Sequence, residues 1–440
     1  MSVDSVALAL VFDPEALESL TGAARAGHLR FKPSTGLTAA LLDADGAPTG
    51  WLRVLADGEE KLDNARRRAE RRSLTVEATA LPERVACEER AARHDEGAPQ
   101  PAQQANHSGA GTGDAAGALP GTITAFWGPV LADPGLAKVF DEIDDSLTDA
   151  WQILRYNPLR RLVVKATAPD GTPVAGRLTH DRQNHLREAA ERIARQVPTV
   201  ARLRDTGLPE SSRITWWDWC DGGDLASSPS PEAAREAGRI TAQLHQVTPP
   251  PVDGVRGTMG GQLEANVNLL TALDADLGAR LRTATGRLLP RLYGGSPSVT
   301  CHGDLSADQF FLKGSRVRLG DLDRVTTGPP EFDLGSFAAT SPALLDDFLT
   351  GYRSLSVSRP RRRAEPVVRD ERVAEVHEDR DTTKGPRSIP STPTPAELTA
   401  WTAYAHAIRV LEPFRQLAPD WRAQVAARID AVEEALCNPS

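Results

Sequence analysis

The chain has 440 residues, a formal net charge of -9, 40% hydrophobic residues and 25% charged residues. That is enough apolar material for packed cores in two or three domains, and the acidic balance argues against a general nucleic-acid binder while suiting a cationic substrate. The four cysteines (Cys87, Cys220, Cys301 and Cys437) form no Cys-x-x-Cys pair, so neither a zinc site nor a disulfide framework is expected, and a reducing cytosol fits.

No apolar run is long enough to span a bilayer. The apolar start Met1–Phe12 lacks the basic residues and cleavage site of a signal peptide. A helix is expected around Pro14–Ala24. A strand-like run Leu29–Pro33 follows, then a hairpin: Gly36–Leu42 and Thr49–Leu55 flank Asp45-Gly46, a dipeptide suited to a tight turn. Asn64–Arg72 reads as a basic helix and Leu74–Thr79 as a strand. Residues 90–120 hold almost no large apolar side chain and read as a disordered insert. Order is expected to resume at Thr122–Gly128.

The pattern then repeats. Leu154-Arg155-Tyr156-Asn157-Pro158 echoes Leu29-Arg30-Phe31-Lys32-Pro33, and Asp170-Gly171-Thr172-Pro173 echoes Asp45-Gly46-Ala47-Pro48, with one offset of 125 covering both. The helix Asn184–Arg195 matches Asn64–Arg72, and Ile214–Trp217 matches Ile123–Trp127. Each half reads as three strands, a helix and two strands, so two tandem units are inferred, about 1–128 and 129–224.

The remainder, 225–440, reads as mainly helical. Pro231–Gln246 is amphipathic behind a Ser230 N-cap. Leu263–Leu289 reads as one or two helices, Ser336–Leu355 as largely helical, and Pro395–Leu417 and Asp420–Leu436 as closing helices. Arg359–Thr394 is polar and charged and reads as a mobile loop.

One stretch carries chemistry: Cys301-His302-Gly303-Asp304-Leu305-Ser306-Ala307-Asp308-Gln309. Phe310–Leu312 and Val317–Leu319 read as a hairpin around Lys313-Gly314-Ser315. Asp321 sits where the hairpin ends, within Gly320-Asp321-Leu322-Asp323. Asp304, Gln309 and Asp321 are thereby folded toward one point. Phosphoryl transfer needs such a point, because one carboxylate must orient an acceptor hydroxyl while a carboxylate and an amide oxygen hold Mg²⁺ against the phosphates.

His-Gly-Asp-x-x-x-x-Gln, a short hairpin and x-Asp-x-Asp resemble the catalytic core of the aminoglycoside phosphotransferase family, within the protein-kinase-like fold. The resemblance implies an α+β, bilobal protein with a small antiparallel-sheet N-lobe, here apparently duplicated, and a mainly helical C-lobe. It implies Asp304 as catalytic base, Gln309 and Asp321 as metal ligands, Asp333 as a carboxylate steadying the loop, and His302 packed beneath that loop. ATP and Mg²⁺ are the implied cofactors.

The family's phosphate-gripping strand lysine has no direct counterpart. Arg177 stands at that position and is favoured; Lys165, one strand earlier, is the other candidate. Glu188 and Glu191 compete as its helix partner. No glycine-rich loop is present, and Arg160 or Arg161 is expected to cover the phosphates by charge. Backbone groups near Trp219 and Cys220 are expected to bind adenine. The expected activity is transfer of the γ-phosphoryl group of ATP to a hydroxyl of a small molecule: an aminoglycoside, another sugar or an amino alcohol. The alternative is an inactive pseudokinase that serves as a scaffold.

Overall fold

The computed structural model describes residues 3–81, 123–182, 184–248, 254–293, 297–357 and 394–437. The insert expected at 90–120 lies outside the described residues, as does the loop expected at 359–394, save Thr394. Among the described residues no helix is long and apolar enough to cross a membrane.

The fold is α+β, with sheets preceding a mainly helical part. The first sheet holds β1 (Arg25–Lys32), β2 (Gly36–Leu42), β3 (Pro48–Ala56), β4 (Glu77–Ala80) and β5 (Ile123–Pro129), in the order β1-β2-β3-β5-β4. The second holds β6 (Gln152–Asn157), β7 (Arg161–Thr167), β8 (Pro173–Thr179), β9 (Arg202–Leu203) and β10 (Ile214–Asp218), in the order β6-β7-β8-β10-β9. The two orders are the same. Each sheet also has a helix between its third and fourth strands, Glu59–Glu70 in the first and Asn184–Ala194 in the second.

By their contacts the residues divide into two compact units. One comprises Met1–Val164, Leu178–His180 and Phe414–Pro419; the other comprises Lys165–Arg177, Asp181–Pro413 and Asp420–Ser440. The first unit opens with a helix that the sequence reading did not assign, Val3–Phe12. Its run Val6–Phe12 is too uniformly apolar to show helical periodicity. A second helix, Pro14–Thr21, follows at once; Asp13 caps it by accepting from the amides of Glu15 and Ala16, both at 3.1 Å. Further along, buried Asp133 accepts from the Tyr156 hydroxyl at 2.6 Å and the Leu159 amide at 2.8 Å, joining two segments of this unit.

The second unit contains the helices Pro231–Leu244, Val255–Leu273, Ala275–Leu292, Pro330–Thr340, Leu345–Val357, Pro395–Ile408 and Trp421–Cys437. The expected span Leu263–Leu289 is two helices, and Asp274 caps the second of them through the Leu277 amide. Four short strands also lie in this unit: β11 (Val299–Cys301) pairs with β14 (Thr326–Gly328), and β12 (Phe310–Lys313) pairs with β13 (Arg316–Leu319). Beneath the β12–β13 hairpin lies an apolar core that includes Leu305, Phe310, Leu319, Leu334, Phe337, Phe348 and Tyr352. Phe337 and Phe348 stack with centroids 3.9 Å apart, and Phe310 meets both edge-on.

Helix Pro231–Leu244 crosses Leu345–Val357 at Gly238, where an added Cβ would lie 2.0 Å from the Phe348 carbonyl oxygen. Backbone cannot retreat as a side chain can, so this crossing requires glycine. Gly238→Val is therefore expected to destabilise the second unit by about 3 kcal/mol or more, above the usual range for overpacking. Chemical denaturation followed by tryptophan fluorescence checks this; an unchanged midpoint would contradict the packing described.

Candidate active site

All the residues in this site belong to the second unit. Strand β11 ends at Cys301, and the loop His302–Gln309 carries the chain to β12. Gly303 has φ 92°, and a Cβ there would lie 1.9 Å from the Arg324 carbonyl oxygen. The loop therefore presses against the turn that follows β13. Leu305 is buried, and its carbonyl accepts from the Ser336 hydroxyl at 2.7 Å. A turn of 3₁₀ helix, Ala307–Gln309, then brings in Gln309, which is nearly buried. The Gly320 amide donates to the Gln309 carbonyl at 2.9 Å, closing the hairpin base and placing Asp321 directly after it.

Asp333 holds the loop from below. It is fully buried and accepts from the His302 amide at 2.7 Å, the Gly303 amide at 3.1 Å and His245 Nε2 at 3.1 Å. His302 Nε2 donates to the Gly320 carbonyl at 2.9 Å. One buried residue pair thus ties the loop bearing Asp304 to the turn bearing Asp321. Burial pushes the Asp333 carboxyl upward, but the His245 hydrogen bond and the charges of His245 and His302, with the His302 amide, outweigh it and hold the group below its ordinary value.

Asp304 is about one-third exposed. Asp321 takes the left-handed conformation, φ 48° and ψ 48°, which aspartate adopts more readily than most residues. A 3₁₀ turn, Leu322–Arg324, follows it and returns Arg324 to the loop, with Nη1 at 3.3 Å from Asp304 Oδ2.

Arg177, on β8, pairs with Asp321 through Nη1 at 3.4 Å and with Asp323 through Nη2. Asp323 was not singled out from the sequence, although it is the second acid of the Asp-x-Asp motif. Lys165, on β7, lies elsewhere: its Nζ sits over the Trp219 ring, 4.5 Å from the centroid. Of the two helix glutamates, Glu191 pairs with Arg202 at 2.6 Å and with Arg204. Glu188 is exposed and has no ion pair among the described residues. The structure thus does not bring either glutamate to Arg177 among the ion pairs described. Arg160 and Arg161 lie in and just after the β6–β7 turn, within the first unit.

After β10 the chain is anchored on both sides of Trp219 and Cys220. The Asp218 amide donates to the Ala201 carbonyl at 2.8 Å and the Gly222 amide to the Leu312 carbonyl at 3.0 Å. The Trp219 and Cys220 amides between them have no backbone partner among the described residues. Cys220 is buried, which pushes its thiol pKa up, and Asp218 adds to this, so the thiol stays protonated.

Sequence reasoning missed a further group of residues. Arg409, just past the helix Pro395–Ile408, binds Asp304 Oδ1 through Nη2, which also donates to the Ser336 hydroxyl at 2.8 Å. No motif surrounds Arg409, and 105 residues separate it from Asp304. His245, Cys301 and Asp333 bring ligand atoms within 4.8 Å of one another. Each already has a partner, since His245 Nδ1 lies 2.8 Å from the Tyr352 hydroxyl and the Cys301 thiol faces the Pro329 carbonyl at 3.6 Å. The cluster braces the loop.

Replacing Asp333 with alanine leaves three buried donors without an acceptor, at about 1–3 kcal/mol each. Loss of several kcal/mol in thermal or urea unfolding is expected. The sign with pH follows from the depressed carboxyl: its contribution is complete above the ordinary carboxylate range and is lost as pH falls through the folded-state pKa. Wild-type stability should therefore fall below about pH 4 more steeply than that of Asp333→Asn. Parallel slopes would contradict the role assigned to Asp333.

No curated protein matches the chain. Solved structures are similar to it at low identity. A choline/ethanolamine kinase family protein from Mesorhizobium loti is 17% identical, covering 67% of this chain and 90% of that one, with a TM-score of 0.44. A macrolide 2′-phosphotransferase from Brachybacterium faecium is also 17% identical, with 68% and 99% covered and a TM-score of 0.39. Residues 144–366 match the model of the phosphotransferase enzyme family, and that stretch is just over half of the chain and contains Asp304, Gln309 and Asp321. The chain belongs to the phosphotransferase enzyme family.

Proposed function

We propose that this protein is an ATP- and Mg²⁺-dependent phosphotransferase whose acceptor is a hydroxyl of a small molecule, in the class of sugars, aminoglycosides and amino alcohols. The observation that carries this reading is the single brace, Asp333 with His302, that fixes the Asp304 loop against the Asp321 turn. A loop of no chemical use has no need of two carboxylates held so firmly at the surface of a buried network.

Asp304 orients the acceptor hydroxyl and takes its proton. The hydroxyl oxygen bonds to the γ-phosphorus as the bond from that phosphorus to the β–γ bridging oxygen breaks, and ADP leaves. The amide oxygen of Gln309 and the carboxylate of Asp321 are hard oxygen donors of the kind Mg²⁺ takes, and they fit that ion. When bound, Mg²⁺ would neutralise charge on the phosphates. Arg177 shares Asp321 and Asp323 between its two terminal nitrogens, and phosphate oxygens are its natural alternative partners. Free amides near Trp219 and Cys220 suit the adenine edge.

We also read the two sheets of equal strand order as tandem copies of one N-lobe unit, about 1–128 and 129–224, ahead of a C-lobe from about 225. The first copy has no catalytic loop of its own.

One observation favours the inactive reading: Arg177 places a cation on the carboxylate that a metal would need. Turnover decides between the two. Wild type is expected to release ADP from ATP with Mg²⁺, slowly without an acceptor. Asp304→Asn is expected to lower turnover about 10²–10⁴-fold while retaining nucleotide. Asp321→Ala is expected to lose the Mg²⁺ dependence of nucleotide binding. A protein that binds no nucleotide in the presence of Mg²⁺, or whose turnover is the same with Asp304→Asn, is not this enzyme.

A further inference from the structure

Charge is distributed unevenly across the site, and the distribution bears on the acceptor. On the metal side, Arg177 stands against Asp321 and Asp323. On the base side the balance is reversed. Asp304 has a guanidinium at each oxygen, Arg409 at Oδ1 and Arg324 at Oδ2. Glu412 lies 3.7 Å from Arg409 Nε, and Arg428 Nη1 donates to Glu412 Oε2 at 2.8 Å. Three arginines there face two carboxylates.

Arg409 is the most buried of these. Its side chain is 10% exposed. Asp304, Ser336 and Glu412 hold its guanidinium, and its own carbonyl accepts from Arg428 at 2.7 Å. Yet its Nη1 is buried and has no hydrogen-bond partner among the described residues. That N–H has essentially no exposed surface; what this guanidinium presents beside the base, where an acceptor hydroxyl has to sit, is its positive charge. Arg324 is the reverse case: its side chain is 70% exposed, so it is free to re-aim.

We infer that the acceptor is an anion: a small molecule carrying a carboxylate or phosphomonoester close to the hydroxyl that is phosphorylated, with exposed Arg324 as its anchor and Arg409 as a fixed positive charge beside it. This rests on the phosphotransferase reading and replaces the cationic members of its acceptor class with anionic ones. The exposed guanidinium fork of Arg324 matches the oxygens of either anion. An ammonium group beside the same hydroxyl would meet two like charges, so cationic aminoglycosides and amino alcohols are disfavoured. The net charge of -9, which taken alone suits a cationic substrate, does not describe this local surface. Arg409 also lies outside the stretch matched by the family.

The test uses the full chain with ATP and Mg²⁺. ADP release is measured with four acceptor sets: hydroxy acids (glycerate, glucuronate), sugar monophosphates (glucose 6-phosphate), neutral sugars (glucose, maltose) and cations (kanamycin, choline). Binding of the same compounds to the protein loaded with ADP and Mg²⁺ is measured by calorimetry. Members of one anionic set are expected to bind and to stimulate release at least about 10-fold over neutral sugars; which set responds separates carboxylate from phosphate. Arg409→Gln is expected to raise KM for that anion about 30–100-fold, with Arg409→Lys recovering part of the loss. Because Arg409 is buried, exposed Arg324→Gln serves as the second variant, expected to raise KM about 5-fold with ADP affinity retained. Preference for neutral or cationic acceptors, absence of anion binding to the nucleotide-loaded protein, or an anion KM unmoved in both glutamine variants overturns the inference. Failure of nucleotide to bind at all would instead remove the reading beneath it.

Discussion

The site depends on one buried carboxylate. Asp333 receives the amides of His302 and Gly303 and the ring of His245, and it stays ionised because those donors outweigh its burial. Its position is set by the helix Pro330–Thr340, whose apolar residues Leu334 and Phe337 belong to the core under the hairpin. The aromatic packing of Phe310, Phe337 and Phe348 is thereby coupled to the placement of Asp304. Such a network is all-or-none in character: fully satisfied it fixes one geometry, and partly satisfied it is worse than an apolar core.

Above that brace, arginines organise the surface carboxylates. Arg177 gathers Asp321 and Asp323, while Arg409 and Arg324 gather Asp304. Each of these acids thus has an arginine partner. On the function proposed above, phosphate and metal chemistry would fall on the Arg177 side and acceptor recognition on the Arg409 side. A ligand entering there would have to exchange one set of ion pairs for another, and selectivity would reside in that exchange.

Much of this was legible in the chain because it is local. His302 to Asp323 spans a loop, a hairpin and a turn, and the apolar runs Phe310–Leu312 and Val317–Leu319 are enough to mark that hairpin between Asp304 and Asp321. The order of strands and helix in each half was legible for the same reason, through Asp-Gly turns and period-two runs. Val3–Phe12 was not legible as a helix, since a continuous apolar run has no periodicity to read. Nor were the partners of the acids. Arg177 meets Asp321 across 144 residues and Arg409 meets Asp304 across 105, and neither arginine sits in a pattern that marks it. Glu191 had the spacing to face β8, yet the structure pairs it with Arg202 and Arg204, a choice made by tertiary packing.

The most direct measurement of the central claim is electron paramagnetic resonance with Mn²⁺ in place of Mg²⁺. The account places the metal between phosphate oxygens and the side chains of Gln309 and Asp321. It predicts tight Mn²⁺ binding only when nucleotide is present, with hyperfine coupling to nucleotide phosphorus, and loss of that bound signal in Gln309→Ala and Asp321→Ala. Bound Mn²⁺ with no phosphorus coupling, or a spectrum the same in both variants, would contradict it.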